Sequence, residues 1–425
     1  MKKLVIFLFL SGNLFGLKAR DNFNTYFEPN TLRFDYIQAG DAENANIYFS
    51  QLRRQKGWAG PRDGLIDPFR YGEYMLEVFD SVSNRLIFSH GYSSLFAEWQ
   101  TVPEARELSR SFYESVLMPF PKNTIRIVIY KRNRSQAFEW LYEQYVNPRS
   151  KYIAKDYLYD FPVKVIRKSG DPSRKVDLLI LPEGYTAQEM DKFVKDAKRF
   201  DSLMFDWSPY KNFKQKFNVS IIEAPSAESG TDFPGADTWK NTLFNSGFNT
   251  FGLERYLMTT DMKTIRDVAA EVPYDQIYIL VNTAKYGGGG IYNFYNVCTS
   301  DNKYSEEVFM HEFGHGFACL ADEYYTSDVA YTDYYDLSTE PYQPNITTLV
   351  RFDTKWQDMI KPGVPVPTPE IPAFDSVVGV FEGGGYAAKN VYRPMINCTM
   401  KSNIRDGFCP VCQKAIVDMI HYYTR

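Results

Sequence analysis

The chain has 425 residues, with 48 basic and 52 acidic side chains and a formal net charge of −4. This near balance gives no electrostatic reason to expect nucleic acid as a partner. The length is sufficient for two or three domains, each with a hydrophobic core of its own.

The N-terminus has the pattern of an export signal. Lys2 and Lys3 precede an apolar run over residues 4–10, and small and polar residues follow up to Ala19. The run is too short to cross a bilayer, and we predict a signal peptide over residues 1–19. We therefore expect a secreted, periplasmic or cell-surface protein without a transmembrane segment.

Short apolar or alternating runs, separated by Gly, Pro, Asp and Asn, dominate the chain up to about residue 150. They cover residues 32–37, 47–52, 74–79, 85–88 and 124–130. This pattern is typical of all-β structure, and we predict an N-terminal β-sandwich domain over residues 20–160. A charged connection leads from it to a second domain over residues 161–425.

Strands and helices alternate in the second domain. The pattern predicts strands at residues 176–181, 217–222 and 276–281, and an amphipathic helix at 187–203 capped by Thr186.

Residues 311–315 carry the pattern His-Glu-x-x-His and contain half of the chain's four histidines. On a helix, His311 and His315 share one face and can offer two nitrogens to a single ion, while Glu312 can reach a metal-bound water. Ser305 as N-cap, acidic residues in the first turn and an apolar side support a helix here. The pattern predicts a hydrolase with one catalytic Zn²⁺, held by His311 and His315, and with Glu312 as general base.

A third ligand requires a change of chain direction. Asp322 lies eleven residues after His311, and on a continuous helix it would lie about 10 Å along the axis from His315. A bend after His315 is therefore needed, and Gly316 is the nearby residue that adopts unusual dihedral angles at low cost.

The longer zinc-protease consensus, HExxHxxGxxH or HExxHxxGxxD, has a glycine and the third ligand at the positions of Ala318 and Ala321 in this chain. The chain thus departs from that consensus. We rank Asp322 first as third ligand and Glu323 second, and a distant carboxylate such as Glu340 or Glu382 third.

Seven segments together are similar to the bacterial IgA metallopeptidase family. They are HEFGHGFACLADEY at 311–324, LPEGYT at 181–186, FNVS at 217–220 with SAESG at 226–230, YGGGG at 286–290, and RPMINCTM at 393–400 with FCPVC at 408–412. The resemblance covers residues 171–425. It implies a secreted zinc endopeptidase of metzincin-like architecture, with an acidic ligand just after the helix and a methionine-bearing turn under the metal. It also implies that an extended substrate pairs with the main chain of the strand at 276–281. The glycine run at 287–290 is then either a flexible loop or a place where substrate backbone approaches closely. The resemblance does not imply that IgA is the substrate.

For the underlying methionine, Met400 is the first candidate and Met395 the second. A tyrosine hydroxyl near zinc can stabilise the oxyanion of the tetrahedral intermediate, and Tyr386 and Tyr392 are the candidates.

The five cysteines all lie in the second domain. Because an exported chain can oxidise them, we expect a disulfide from Cys398 to either Cys409 or Cys412. Cys298 and Cys319 either pair with each other or remain free.

We therefore predict an α+β chain in which an N-terminal β-sandwich domain precedes a metzincin-like α/β zinc peptidase domain. We expect this protein to be a zinc metalloendopeptidase that acts on proteins or peptides. We also expect it to be a monomer. Two alternatives are a host-protein or glycan binding protein with a vestigial metal site, and a zinc amidase acting on cell-wall peptides. The intact Glu312 argues against a vestigial site, which would not need the base.

Overall fold

A computed structural model describes residues 23–155, 158–325, 335–402 and 407–425. The signal peptide predicted at residues 1–19 lies outside these ranges. Among the helices within them, none combines the length and the hydrophobicity that crossing a membrane requires.

The N-terminal part is built from two four-stranded sheets. Its described elements are α1 (Phe23–Tyr26), β1 (Phe27–Gly40), β2 (Ala45–Gln55), β3 (Tyr74–Asp80), β4 (Leu86–Tyr92), α2 (Leu95–Trp99), β5 (Arg110–Pro121), β6 (Ile125–Arg132), β7 (Phe138–Val146) and β8 (Ile153–Lys155). The strand orders are β5-β1-β2-β8 and β4-β3-β6-β7. The prediction of an N-terminal domain of strands is confirmed.

The two sheets share one hydrophobic core. Phe34 and Val116 of the first sheet and Leu76 and Ile127 of the second are buried in it. The five apolar runs overlap β1, β2, β3, β4 and β6, whereas β5 and β7 were not predicted. Most side chains of β7 are exposed or half-buried, so this strand carries no apolar run.

The second part contains a mixed six-stranded sheet. Its described elements are β9 (Val163–Arg167), β10 (Val176–Glu183), α3 (Met190–Met204), β11 (Phe217–Ile222), α4 (Met262–Ala269), β12 (Gln276–Val281), β13 (Gly288–Ile291), β14 (Tyr295–Thr299), α5 (Ser305–Ala318), β15 (Phe381–Gly384), β16 (Ala387–Arg393) and α6 (Pro410–Tyr423). The sheet order is β13-β14-β12-β10-β11-β9. The four inner strands are parallel, and β10 and β12 are buried throughout, as expected for strands covered on both faces.

The strand predicted to pair with substrate lies inside this sheet. β12 is hydrogen-bonded to β10 on one side and to β14 on the other, so the prediction for residues 276–281 was wrong. The edge strand is β13, which contains three glycines of the run. Its Gly288 carbonyl already accepts a hydrogen bond from Leu257 N at 3.3 Å. The glycine run is therefore largely an ordered strand and not a flexible loop.

A buried ion pair joins the N-terminal sheets to the second part. Arg33 of β1 donates from Nε to Asp35 at 2.7 Å, and its Nη1 lies 2.7 Å from Asp267 of α4. Phe96 and Phe112 share a second core cluster with Ile265 of α4. The two parts therefore pack closely, and the division at residue 160 stays a prediction.

Burial of Glu114 in β5 predicts a pH-dependent stability. Burial raises the pKa of this carboxyl from 4.5 to about 8, although the Phe96 amide and the Ser94 hydroxyl lower it by a smaller amount. The folded chain thus holds a proton that the unfolded chain loses above pH 4.5, so stability falls as pH rises from about 4.5 to 8. Glu114→Gln removes this loss, and we expect the variant to gain on the order of 3 kcal/mol over the wild type between pH 5 and 8.

Urea unfolding of both proteins across this pH range measures the difference. Glu139→Gln, at an exposed position of β7, is the matched control and should follow the wild type. A difference between Glu114→Gln and the wild type that does not vary with pH would contradict the assignment.

Candidate metal centre

Helix α5 carries the His-Glu-x-x-His pattern. It begins at Ser305 after the cap residue Tyr304, one residue from the cap we predicted, and it has two acidic residues in its first turn. Its apolar face, including Phe309 and Phe313, is fully buried in the largest core cluster. The helix therefore has one face fixed in the core, and His311 and His315 lie half-buried on another.

The chain reverses direction at Cys319. Helix α5 continues to Ala318, and Cys319 adopts the left-handed conformation (φ 54°, ψ 33°). Its amide donates to the His315 carbonyl at 3.1 Å, and the Leu320 amide donates to the Gly314 carbonyl at 3.2 Å. These two bonds close the helix end as a left-handed cap does. A bend was correctly expected, but its position at Gly316 was wrong.

The position of Gly316 leaves no room for a side chain. A Cβ at this position would lie 1.9 Å from Asn296 Oδ1 of β14. Gly290 of β13 is constrained in the same way, since its Cβ would lie 2.3 Å from the carbonyl oxygen of Glu312. The two glycines let β13 and β14 contact the helix backbone directly.

The reversal brings Asp322 to the two histidines. Asp322 Oδ1 lies 3.0 Å from His311 Nε2 and 3.4 Å from His315 Nε2, and the two Nε2 atoms are 3.1 Å apart. Two nitrogens from α5 and one oxygen from the segment after it, all atoms that can bind a metal ion, thus meet at one point.

The second ring nitrogen of each histidine is held by the backbone. His311 Nδ1 donates to the Thr399 carbonyl at 2.9 Å, and His315 Nδ1 donates to the Leu320 carbonyl at 2.6 Å. Because a carbonyl can only accept, these bonds keep the proton on Nδ1 and direct Nε2 toward Asp322. This is the orientation found in histidines that bind metals through Nε2.

The electrostatic environment around His311, His315 and Asp322 stabilises an ionised Asp322 and a positive charge beside it. Burial opposes ionisation of Asp322, but the adjacent imidazoles outweigh it and hold its pKa well below the usual range. Burial also lowers the pKa of His315, yet Asp322 outweighs this effect and raises it to about 9. Burial raises the pKa of Glu312, which the imidazoles oppose.

A cleft of about 360 Å³ opens over these residues. Both parts of the chain line it, because Glu73, Ser93 and Glu98 of the N-terminal part are among its lining residues. Arg255 also lines the cleft and lies 3.5 Å from the Tyr324 hydroxyl. Sequence reasoning missed these residues, since none of them belongs to a spaced motif.

The remaining candidate side chains have definite positions. Tyr386 lines the cleft and donates a hydrogen bond to Asp322 Oδ2, whereas Tyr392 pairs with Glu382 in the hairpin of β15 and β16. Glu382 bonds Lys389 at 2.7 Å, and Glu340 accepts from the Arg351 amide at 2.9 Å.

Glu323 is directed to other partners than the histidines. Its Oε1 accepts from Asn345 Nδ2 at 2.9 Å and lies 3.2 Å from Cys412 Sγ. Of the carboxylates ranked as third ligand, Asp322 is therefore the one with an oxygen in contact with both histidines.

Comparison with protein families gives two matches. The family model of IgA peptidase M64 matches residues 164–374 and 370–420, and the model of the peptidase M64 N-terminus matches residues 22–143. The chain belongs to the IgA peptidase M64 family. The family predicted from the sequence is confirmed, and the M class of its name implies a metal-dependent peptidase. Comparison with curated proteins gives no match.

In this M64 peptidase, Met400 lies against helix α5. A Cβ on Gly314 would be 2.7 Å from Met400 Sδ, and the Met400 carbonyl accepts from the Glu323 amide at 2.8 Å. Met395 is only half-buried at the core surface. The five cysteines are free thiols, so the expected disulfide at Cys398 is not formed.

Substitution of Gly316 tests the contact between α5 and β14. In an unobstructed helix, Gly→Ala stabilises by about 1 kcal/mol, but here the new methyl group overlaps the Asn296 side chain. We expect Gly316→Ala to destabilise the M64 peptidase by about 1–3 kcal/mol. Urea unfolding gives the change.

The double variant Gly316→Ala/Asn296→Ala supplies the control. Removing the Asn296 amide frees the space, so the double variant should be more stable than the sum of the two single changes. Strict additivity would contradict the proposed overlap.

Proposed function

We propose that this M64 peptidase is an exported zinc endopeptidase that hydrolyses peptide bonds of protein substrates. The observation that carries the proposal is the meeting of His311 Nε2, His315 Nε2 and Asp322 Oδ1 within 3.0–3.4 Å of one another. Two imidazoles and a carboxylate form a ligand set that zinc uses in catalytic sites, where a fourth position stays open.

The residues present fit a zinc ion. Both histidines are held through Nδ1 by backbone carbonyls, so each Nε2 can offer its lone pair to a metal ion. Asp322 is held through its other oxygen by Tyr386. Each of the three proposed ligands is therefore held by a hydrogen bond to a group behind it, which raises metal affinity.

A bound zinc ion supplies Lewis-acid chemistry, since it lowers the pKa of a water molecule and polarises a peptide carbonyl. Glu312 is the proposed general base, which takes the proton from the attacking water and returns it to the leaving amine. Burial raises its pKa, which makes its carboxylate a stronger proton acceptor. Glu312 is also fixed in place, because β13 packs against its backbone.

The cleft supports a role for Tyr386 and Arg255. Tyr386 acts on Asp322, so we assign it to positioning of a ligand and no longer to the oxyanion. Arg255 lines the cleft beside Tyr324 and is the positive side chain we propose for contact with substrate carbonyl or carboxylate oxygens. Because Glu73, Ser93 and Glu98 of the N-terminal part line the cleft, we propose that this part also contacts the substrate.

Variants of the catalytic helix test the proposal. We expect Glu312→Gln to keep its zinc and to lose turnover by at least about 100-fold, because the amide cannot accept the proton. His311→Ala/His315→Ala should lose both the zinc of this site and the activity. Cleavage of a protein-derived peptide library with and without a chelator measures turnover, and near-normal hydrolysis by Glu312→Gln would exclude the mechanism.

Asp322→Ala tests the third ligand. Its loss leaves two imidazoles, and we expect zinc affinity in a chelator competition to fall by at least about 10-fold. Glu382→Gln, a carboxylate bonded to Lys389, is the matched control and should retain zinc. Equal affinity of Asp322→Ala and the wild type would move the third ligand elsewhere.

A further inference from the structure

A second group of metal-binding side chains lies next to the proposed catalytic site. Glu323, Cys398, Cys409 and Cys412 are all buried, and their ligand atoms lie within 4.8 Å of one another. We name these four residues the thiolate cluster. It shares no residue with the histidine site, although Glu323 follows Asp322 directly in the chain.

Two distances within the cluster match a tetrahedral zinc site. Cys398 Sγ lies 3.7 Å from Cys412 Sγ, and Cys412 Sγ lies 3.2 Å from Glu323 Oε1. With Zn–S at about 2.3 Å and Zn–O at about 2.0 Å, tetrahedral geometry gives about 3.8 Å between two sulfurs and about 3.5 Å between sulfur and oxygen. These two spacings therefore need little adjustment, and all four ligand atoms lie close enough together, within 4.8 Å, to converge on one ion.

Backbone amides favour ionised sulfurs in the cluster. The Cys409 amide donates to Cys398 Sγ at 3.3 Å, and the Cys412 amide donates to Cys409 Sγ at 3.5 Å. Cys409 is the cap of α6, where the helix dipole stabilises negative charge. The turn Cys-Pro-Val-Cys thus presents two sulfurs from one helix start.

Glu323 provides an independent indication of a ligand. Its side chain is fully buried, and its Oε2 has no hydrogen-bond partner among the described residues. An unpaired buried carboxylate oxygen is costly, and a cation at the centre of the cluster would pair with it. The positive charges that act on Glu323 nearby are Arg393 and Lys401.

We propose that the thiolate cluster is a second, structural zinc site in which Cys398, Cys409, Cys412 and Glu323 are the four ligands. Thiolates select zinc among the common divalent ions, and a complete protein ligand set leaves no position for substrate. This proposal does not depend on the catalytic function of the histidine site.

The proposed ion has a definite structural role. Its ligands come from three segments: the chain after Asp322, the chain before Thr399, and the start of α6. Thr399 is the residue whose carbonyl holds His311. The second ion would therefore fix the position of Asp322, the proposed third ligand of the histidine site. It would also fix the Thr399 carbonyl, which orients His311.

Metal analysis of the whole exported chain, purified without reductant, tests the proposal. We expect about two zinc ions per chain in the wild type and about one in His311→Ala/His315→Ala. Cobalt exchanged into this double variant should show sulfur-to-metal charge-transfer absorption, which a histidine and carboxylate site does not produce.

Substitutions within the cluster sharpen the test. In the His311→Ala/His315→Ala background, Cys409→Ser and Glu323→Gln should reduce zinc to the background level, whereas Cys298→Ser, a buried thiol outside the cluster, should leave it unchanged. If Cys409→Ser does not fold, the zinc count and the cobalt spectrum of the double histidine variant still decide the matter.

Two outcomes would overturn the proposal. One is a zinc-free His311→Ala/His315→Ala protein that remains folded and takes up no zinc when it is supplied. The other is a disulfide at Cys398, seen as a mass two hydrogens lower and as three titratable thiols in place of five after denaturation in chelator. Failure of the catalytic proposal, by contrast, would leave the count in the double variant unchanged.

Discussion

The candidate site depends on the reversal of the chain at Cys319. A helix alone can present two histidines on one face, but it carries every later residue away along its axis. The left-handed residue after Ala318 ends the helix and returns the chain, so that Asp322 meets His311 and His315. A non-glycine residue in this conformation is strained by about 1–2 kcal/mol, and the two hydrogen bonds of the helix cap oppose that strain.

Close packing around α5 then fixes the site in place. Gly290 and Gly316 allow the sheet edge and Asn296 to contact the helix backbone, and the Thr399 carbonyl holds His311 from the other side. The helix is thus supported by β13 and β14 and by the segment before α6. Such support from rigid elements keeps ligand atoms within a few tenths of an ångström of the required geometry.

Sequence patterns predicted what is local and missed what depends on distant contacts. The strands at 217–222 and 276–281 were found because continuous apolar runs identify buried parallel strands. The histidine pair followed from helical spacing. The position of β12 between two other strands could not be predicted from the sequence, since tertiary pairing determines the order of strands in a sheet. The cleft wall at Glu73 and Arg255 was also missed, because no spacing relates residues so distant in the chain.

The departure from the longer zinc-protease consensus has one cause. In HExxHxxGxxD the glycine and the third ligand follow the first histidine by seven and ten residues. In this chain the residue with positive φ, Cys319, is eighth after His311 and Asp322 is eleventh. Both are displaced by one residue, and the interval of three between turn and carboxylate is kept. A helix that is one residue longer before a left-handed turn accounts for both the absence of a glycine at 318 and the offset of Asp322.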